Sequence, residues 1–295
     1  VSDGPTLLSR TGDSRPIGFF DSGVGGLTVL REVVRRLPAE ATIYVGDNAR
    51  APYGPRSDEE VIRFSAECLD ELASRDVKAI VVACNTSSAV ALTQLRSRYD
   101  LPILGVVRPG ASAAALATRS RRVGVIATQA TVRSRAYFHA IKDENPFIEV
   151  YEHATPELVP LVEAGRLEGP EVEAAVRREL APLLGDRGTR GEFVFPLPAS
   201  ERIDTLLLGC THYPLLAPII QAITGADIAV IDSASATASA LASLLEVEGL
   251  AAPTGTTGTH IQYTTGDVVA FRKTAERLFG ALFPAVEPLA VAATA

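Results

Sequence analysis

The sequence predicts an α/β fold made of two similar halves, each a mostly parallel sheet flanked by helices. Three observations carry this prediction. Short β-branched apolar runs alternate with stretches of helical periodicity, as in a parallel sheet buried on both faces. The same order of elements occurs twice along the chain. Each half also ends its third apolar run in a cysteine followed by polar residues, Ala83-Cys84-Asn85-Thr86 and Gly209-Cys210-Thr211-His212. The C-terminal ends of strands in open parallel sheets are where such folds bind ligands.

Residues 1–15 are polar, contain Gly, Ser and Pro, and lack the apolar stretch of a signal peptide, so they read as a disordered lead. The first half has strand candidates at 16–20, 42–46, 79–83 and 103–107, and the second at 123–127, 147–151, 205–208 and 228–231. Gly18-Phe19-Phe20-Asp21 is answered by Gly124-Val125-Ile126-Ala127 in the second half. After the first strand, Leu27, Leu30, Val33, Val34 and Leu37 recur at helical spacing. Cys68 falls in a helical pattern at 64–72 and reads as packing. Ser87 or Ser88 is the expected cap of the helix after Cys84. Arg119, Arg121 and Arg122 form a solvated corner before a strand. Residues 186–200, with Gly, Arg, Pro and Phe in no clear period, read as a surface loop, and Pro214 and Pro218 flank a helix start where a first-turn proline is tolerated. Residues 283–295 carry no period and are expected to fray.

A chain of 295 residues is long enough for two domains of ordinary size. With 47% apolar and 21% charged residues it is a globular composition. A net charge of −7 and the absence of a long basic run argue against a general nucleic-acid binder. No stretch approaches the roughly 20 apolar residues that span a bilayer, and the cytoplasm is the expected location. The three cysteines, Cys68, Cys84 and Cys210, are far apart, so neither a disulfide framework nor a metal site is expected.

The chemistry concentrates in three segments. Asp21-Ser22-Gly23-Val24-Gly25-Gly26 follows a strand and opens a helix, a place suited to a substrate carboxylate because free N–H groups there favour anions. It is equally a tight turn with no ligand, and it matches neither the dinucleotide nor the P-loop spacing. Cys84 sits at a helix start, which favours the thiolate and would lower its pKa from about 8.5, or it is a buried structural cysteine. Cys210 has His212 two residues on, a pair that suits proton transfer or a hydrolase nucleophile, or a strand-end cysteine beside a capping histidine. Two equivalent thiols across a cleft suit a reaction that takes a proton from one face of a carbon and returns it to the other. The lysines are Lys78, Lys142 and Lys273, none in a motif-like setting, and no cofactor is expected.

At these residues the sequence resembles the glutamate racemases of the aspartate/glutamate racemase superfamily. The matching segments run from Gly18-Phe19-Phe20-Asp21-Ser22-Gly23-Val24-Gly25-Gly26 through Tyr44-Val45-Gly46-Asp47, Pro52-Tyr53-Gly54, Ala83-Cys84-Asn85-Thr86 and Gly124-Val125-Ile126-Ala127-Thr128 to Leu208-Gly209-Cys210-Thr211-His212-Tyr213-Pro214 and Tyr263-Thr264-Thr265-Gly266-Asp267. The resemblance implies cofactor-independent interconversion of L- and D-glutamate, supplying D-glutamate for peptidoglycan. It implies that Cys84 acts on D-glutamate and Cys210 on L-glutamate, one as thiolate base and the other as thiol acid. Asp21 resembles the acid that assists the first thiol, His212 the partner of the second, and Glu163 a further acid on that side. Asp21, Ser22, Tyr53, Gly54, Asn85, Thr86, Thr128, Thr211 and His212 match substrate-holding positions.

The resemblance further implies two α/β domains with the active site in the cleft between them. On that division residues 16–108 with 233–285 form the first domain, 109–232 the second and 286–295 a tail, and a homodimer is the family's common assembly. Two departures stand out: His153-Ala154-Thr155-Pro156 lacks a cysteine often found there, and the 186–200 loop is long. An aspartate or other superfamily racemase keeps the mechanism with another substrate. A Cys/His hydrolase needs only one nucleophile, and a binding protein needs none.

Overall fold

The computed structural model describes residues 12–184, 202–283 and 285–290, and the 186–200 loop expected from the sequence lies outside them. Among the described residues ten strands fall into two parallel sheets. The first half supplies β1 (Ile17–Asp21), β2 (Thr42–Gly46), β3 (Ala79–Val82) and β4 (Ile103–Gly105). The second supplies β5 (Arg122–Ala127), β6 (Glu149–Ala154), β7 (Thr205–Gly209) and β8 (Ala229–Asp232). The chain then returns with β9 (His260–Thr264) and β10 (Val286–Pro288). The six-stranded order is β10-β9-β2-β1-β3-β4 and the four-stranded order is β6-β5-β7-β8. Substituting β5 to β8 for β1 to β4 reproduces the second order from the first, so the repeat in the sequence is a repeat of topology.

The burial pattern explains why these runs become central strands. All five residues of β1 and all five of β7 are buried, as expected of a strand covered by helices on both faces. The helix Leu27–Arg36 presents Leu27, Leu30 and Val33 to the core, and the helix Ser233–Val247 packs against it. The helix Asp58–Ala73 begins with a full capping box between Ser57 and Glu60. Cys68 is buried within it, as packing requires.

Several local expectations are corrected. The strand expected at 103–107 stops at Gly105, and Val107 opens the helix Val107–Ala117. β6 lies two to three residues later than expected, leaving Phe147 74% exposed, because the pairing of Arg122 with Glu149 sets its register. The cap of the helix Asn85–Val90 is Cys84 itself, whose Sγ accepts from Ser87 N–H at 3.5 Å, while Ser88 Oγ instead donates to Val82 O at 2.7 Å. Residues 12–15 of the expected lead are held in place: Asp13 N–H donates to Ala251 O at 3.0 Å, and Lys78 Nζ donates to Asp13 O at 2.7 Å. Residues 286–288 of the expected tail pair with β9, because the edge of that strand offers unpaired backbone groups and Val286 is buried. Among the described residues no helix is long and apolar enough to cross a membrane.

Candidate active site

The C-terminal ends of β1, β3, β5 and β7 converge on one cavity of about 220 Å3. β1 and β3, like β5 and β7, are neighbours at the point where strand order reverses, the expected ligand crevice of such sheets. Each half contributes equivalent pieces: Ser22 after β1 and Thr128 after β5, Cys84 after β3 and Cys210 after β7. Tyr53, Gly54, Asn85, Thr86, Thr211, His212 and Glu163 complete the set of expected residues on its wall. Asp21 is the exception, fully buried behind the wall.

Cys84 is 4% exposed, and its Sγ donates to Ser22 Oγ at 3.5 Å. The lowered pKa expected from the helix start is overturned: burial, reinforced by the Asp21 carboxylate, pushes the thiol up to about 11. Asp21 accepts from Gly23 N–H at 2.9 Å and from Thr211 Oγ1 at 3.5 Å. Burial raises its carboxyl above the usual range, opposed by the His212 charge.

On the other side Cys210 Sγ lies 3.7 Å from His212 Nδ1, and His212 Nε2 lies 3.3 Å from Glu163 Oε1. Burial alone would lower the imidazole, but Cys210 and Glu163 outweigh it and raise His212 to about 10. The two sulfurs therefore differ: one faces hydroxyls and a buried acid, the other an imidazole backed by a carboxylate.

The glycine-rich turn has a role other than the one expected. Among its residues only Ser22 lines the cavity. A Cβ on Gly25 would stand 2.5 Å from Thr211 Oγ1 and 2.6 Å from His212 Nδ1. The glycine lets the second half's Thr211 and His212 approach the first half's turn. Thr28 Oγ1 fastens the same contact by donating to Thr211 O at 3.0 Å.

Polar partners fix the remaining wall. Asn85 Nδ2 donates to Tyr137 OH at 2.7 Å, while its buried Oδ1 has no hydrogen-bond partner among the described residues. Thr86 and Thr128 share an Oγ1–Oγ1 hydrogen bond of 2.9 Å across the halves. Tyr53 also lines the cavity, with its hydroxyl committed to Asp47. Sequence reasoning missed Thr155, Pro156, Val159 and Pro160, which also line the cavity. They follow β6 as Tyr53 and Gly54 follow β2, so extending the repeat to those loops would have found them.

Comparison with known proteins agrees with this architecture. The family model for Asp/Glu/Hydantoin racemase matches residues 17–241. The glutamate racemase of Lactococcus lactis subsp. cremoris is 43% identical over 265 residues, covering 90% of this chain and 92% of its own. The crystal structure of glutamate racemase isoform RacE1 from Bacillus anthracis superposes with a TM-score of 0.86 at 39% identity, covering 94% of this chain and 98% of its own. That of the Francisella tularensis glutamate racemase, in complex with D-glutamate, gives 0.83 at 34% identity, covering 95% and 98%. The chain belongs to the Asp/Glu/Hydantoin racemase family, where its likeness is to the glutamate racemases, and it is an amino-acid racemase, an isomerase.

Proposed function

We propose that the protein interconverts L- and D-glutamate by two-base proton transfer between Cys84 and Cys210, with no cofactor, and supplies D-glutamate for peptidoglycan. The observation that carries this reading is the placement of the two cysteines at equivalent strand ends on the wall of one cavity. His212, raised to about 10, is a cation at neutral pH and lies 3.7 Å from Cys210 Sγ, while Cys84 holds its proton. Starting from L-glutamate, Cys210 acts as the base that takes the α-proton and the Cys84 thiol delivers one to the opposite face. In the reverse direction Cys84 acts as base on D-glutamate, with Asp21 nearby to carry its proton, and Cys210 returns the proton. Glu163 steadies the His212 charge. Asn85, Thr86, Thr128, Thr211, Ser22 and the backbone of Tyr53 and Gly54 supply polar contacts for the carboxylates and ammonium.

The α-proton is far less acidic than a thiol, so the carbanion must be stabilised by prearranged polar groups in a cavity that excludes water. The buried Oδ1 of Asn85, without a partner among the described residues, is an acceptor suited to the substrate's ammonium rather than to the carbanion. The expected division into a first lobe of 16–108 with 233–285, to which residues 12–15 and the strand β10 also belong, and a second of 109–232 is part of the proposal, as are the cytoplasm and a homodimer. Incubation with each glutamate enantiomer in deuterated buffer tests the reaction. Loss of optical rotation with deuterium at the α-carbon supports it; activity on aspartate alone, or none on either amino acid with the thiols reduced, overturns it.

A further inference from the structure

The loop after β2 forms one side of the cavity through Pro52, Tyr53, Gly54 and Pro55. What holds it lies outside the cavity. Asp47, fully buried, begins the loop and collects three donors on one carboxylate. Arg50 Nε donates to its Oδ2 at 2.7 Å, the Tyr53 hydroxyl donates to the same oxygen, and Thr265 Oγ1 donates to Oδ1 at 2.6 Å. Arg50 also pairs with Glu67 of the helix Asp58–Ala73 and stacks 4.2 Å over the Phe64 ring. Its carbonyl accepts from Arg56 Nη2 at 3.0 Å. The loop's tip then reaches the opposite half, where Gly54 O accepts from Ala130 N–H at 3.2 Å and a Cβ on Gly54 would stand 3.1 Å from Thr128 Cβ.

We infer that Asp47 and Arg50 are positioning residues, a buried clamp that sets the place of the Tyr53–Gly54 wall and so the affinity of the site for glutamate. Burying this many charges costs desolvation, and well-packed apolar residues would often stabilise a loop as well or better. The network does what apolar packing cannot do, because directional hydrogen bonds fix Tyr53 from its hydroxyl while Tyr53 and Gly54 line the cavity. Thr265 comes from the returning segment after β9, so the clamp also ties that segment to the site. The clamp touches neither sulfur. Loosening it weakens the hold on substrate and leaves the ionisation of the two thiols unchanged.

The inference rests on the racemase reading, and wild-type activity on glutamate checks that reading first. Arg50→Met, Arg50→Lys and Tyr53→Phe are then compared for kcat, KM, pH profile and thermal midpoint. Arg50→Met is expected to raise KM for both enantiomers about tenfold, with kcat changed far less and the pH limbs unmoved. Arg50→Lys, which keeps the charge, recovers part of the loss, and Tyr53→Phe raises KM in the same sense while keeping every charged pair. An active wild type with a folded Arg50→Met of unchanged KM overturns the inference. So does a fall in kcat with shifted pH limbs, which would place Arg50 in proton transfer. Should Arg50→Met fail to fold, an unchanged KM in Tyr53→Phe overturns it alone.

Discussion

At the level of single residues, the chemistry of the site is set by the different surroundings of two sulfurs. Enantiomers have equal free energies, so the equilibrium constant is unity and kcat/KM must be the same in both directions for every variant. Differences between the two sides therefore show in kcat and KM taken separately, or in isotope exchange. Replacing Cys84 or Cys210 by Ala is expected to lower net racemisation by at least about 10²–10⁴-fold, read by circular dichroism. Because the reaction starting from L-glutamate needs Cys84 as a thiol and His212 as a cation, activity is expected to fall as pH rises through about 10 to 11. His212 also links pH to stability. Its folded pKa is raised above that of an unfolded histidine, so its stabilisation is full below about 6.5 and is lost as pH rises through about 10. Denaturant melts of wild type and His212→Asn across that window should converge at high pH.

At the scale of elements, the strands and their repeat were legible because a strand covered on both faces must be apolar along its length. Boundaries were less legible where one residue can serve two elements. Val107 satisfies a strand pattern and opens a helix, and Cys84 serves as both strand-end residue and helix cap. The thiols, His212 and the hydroxyl residues could be placed at strand ends from sequence. The purpose of Gly25 could not, since it is set by the opposite half of the chain. Gly25→Ala is expected to displace Thr211 and His212 and to lower kcat/KM by on the order of 10²-fold, since a shift near 1 Å in a catalytic group has that effect. A melting temperature close to wild type, with activity also unchanged, would contradict that role. The stretch 155–160, which runs from β6 into the helix Leu158–Glu163, was missed because its composition is unremarkable, and only the repeat marks it.

At the scale of the whole molecule, the returning segment closes the first sheet and reaches the site. β9 lies against β2, and the 251–252 stretch meets Glu40 and Asp13 at the opposite end of the sheet. There Lys78, fully buried, pairs with Glu40 at 2.5 Å while Glu40 also accepts from Ala252 N–H at 2.7 Å. Lys78→Met strands a buried carboxylate and is expected to destabilise the fold by about 3–5 kcal/mol in urea titration, with KM little changed in the folded protein. This pairing was invisible in the sequence because its partners are some 38 residues or more apart and no local pattern links them. Two thiols working from opposite faces of one carbon are tested most directly by following α-proton exchange and optical rotation together in deuterated buffer, for wild type and for Cys84→Ala and Cys210→Ala. Wild type is expected to racemise glutamate with deuterium incorporation, and each variant to lose net racemisation. Full racemisation by either variant would contradict the two-thiol mechanism.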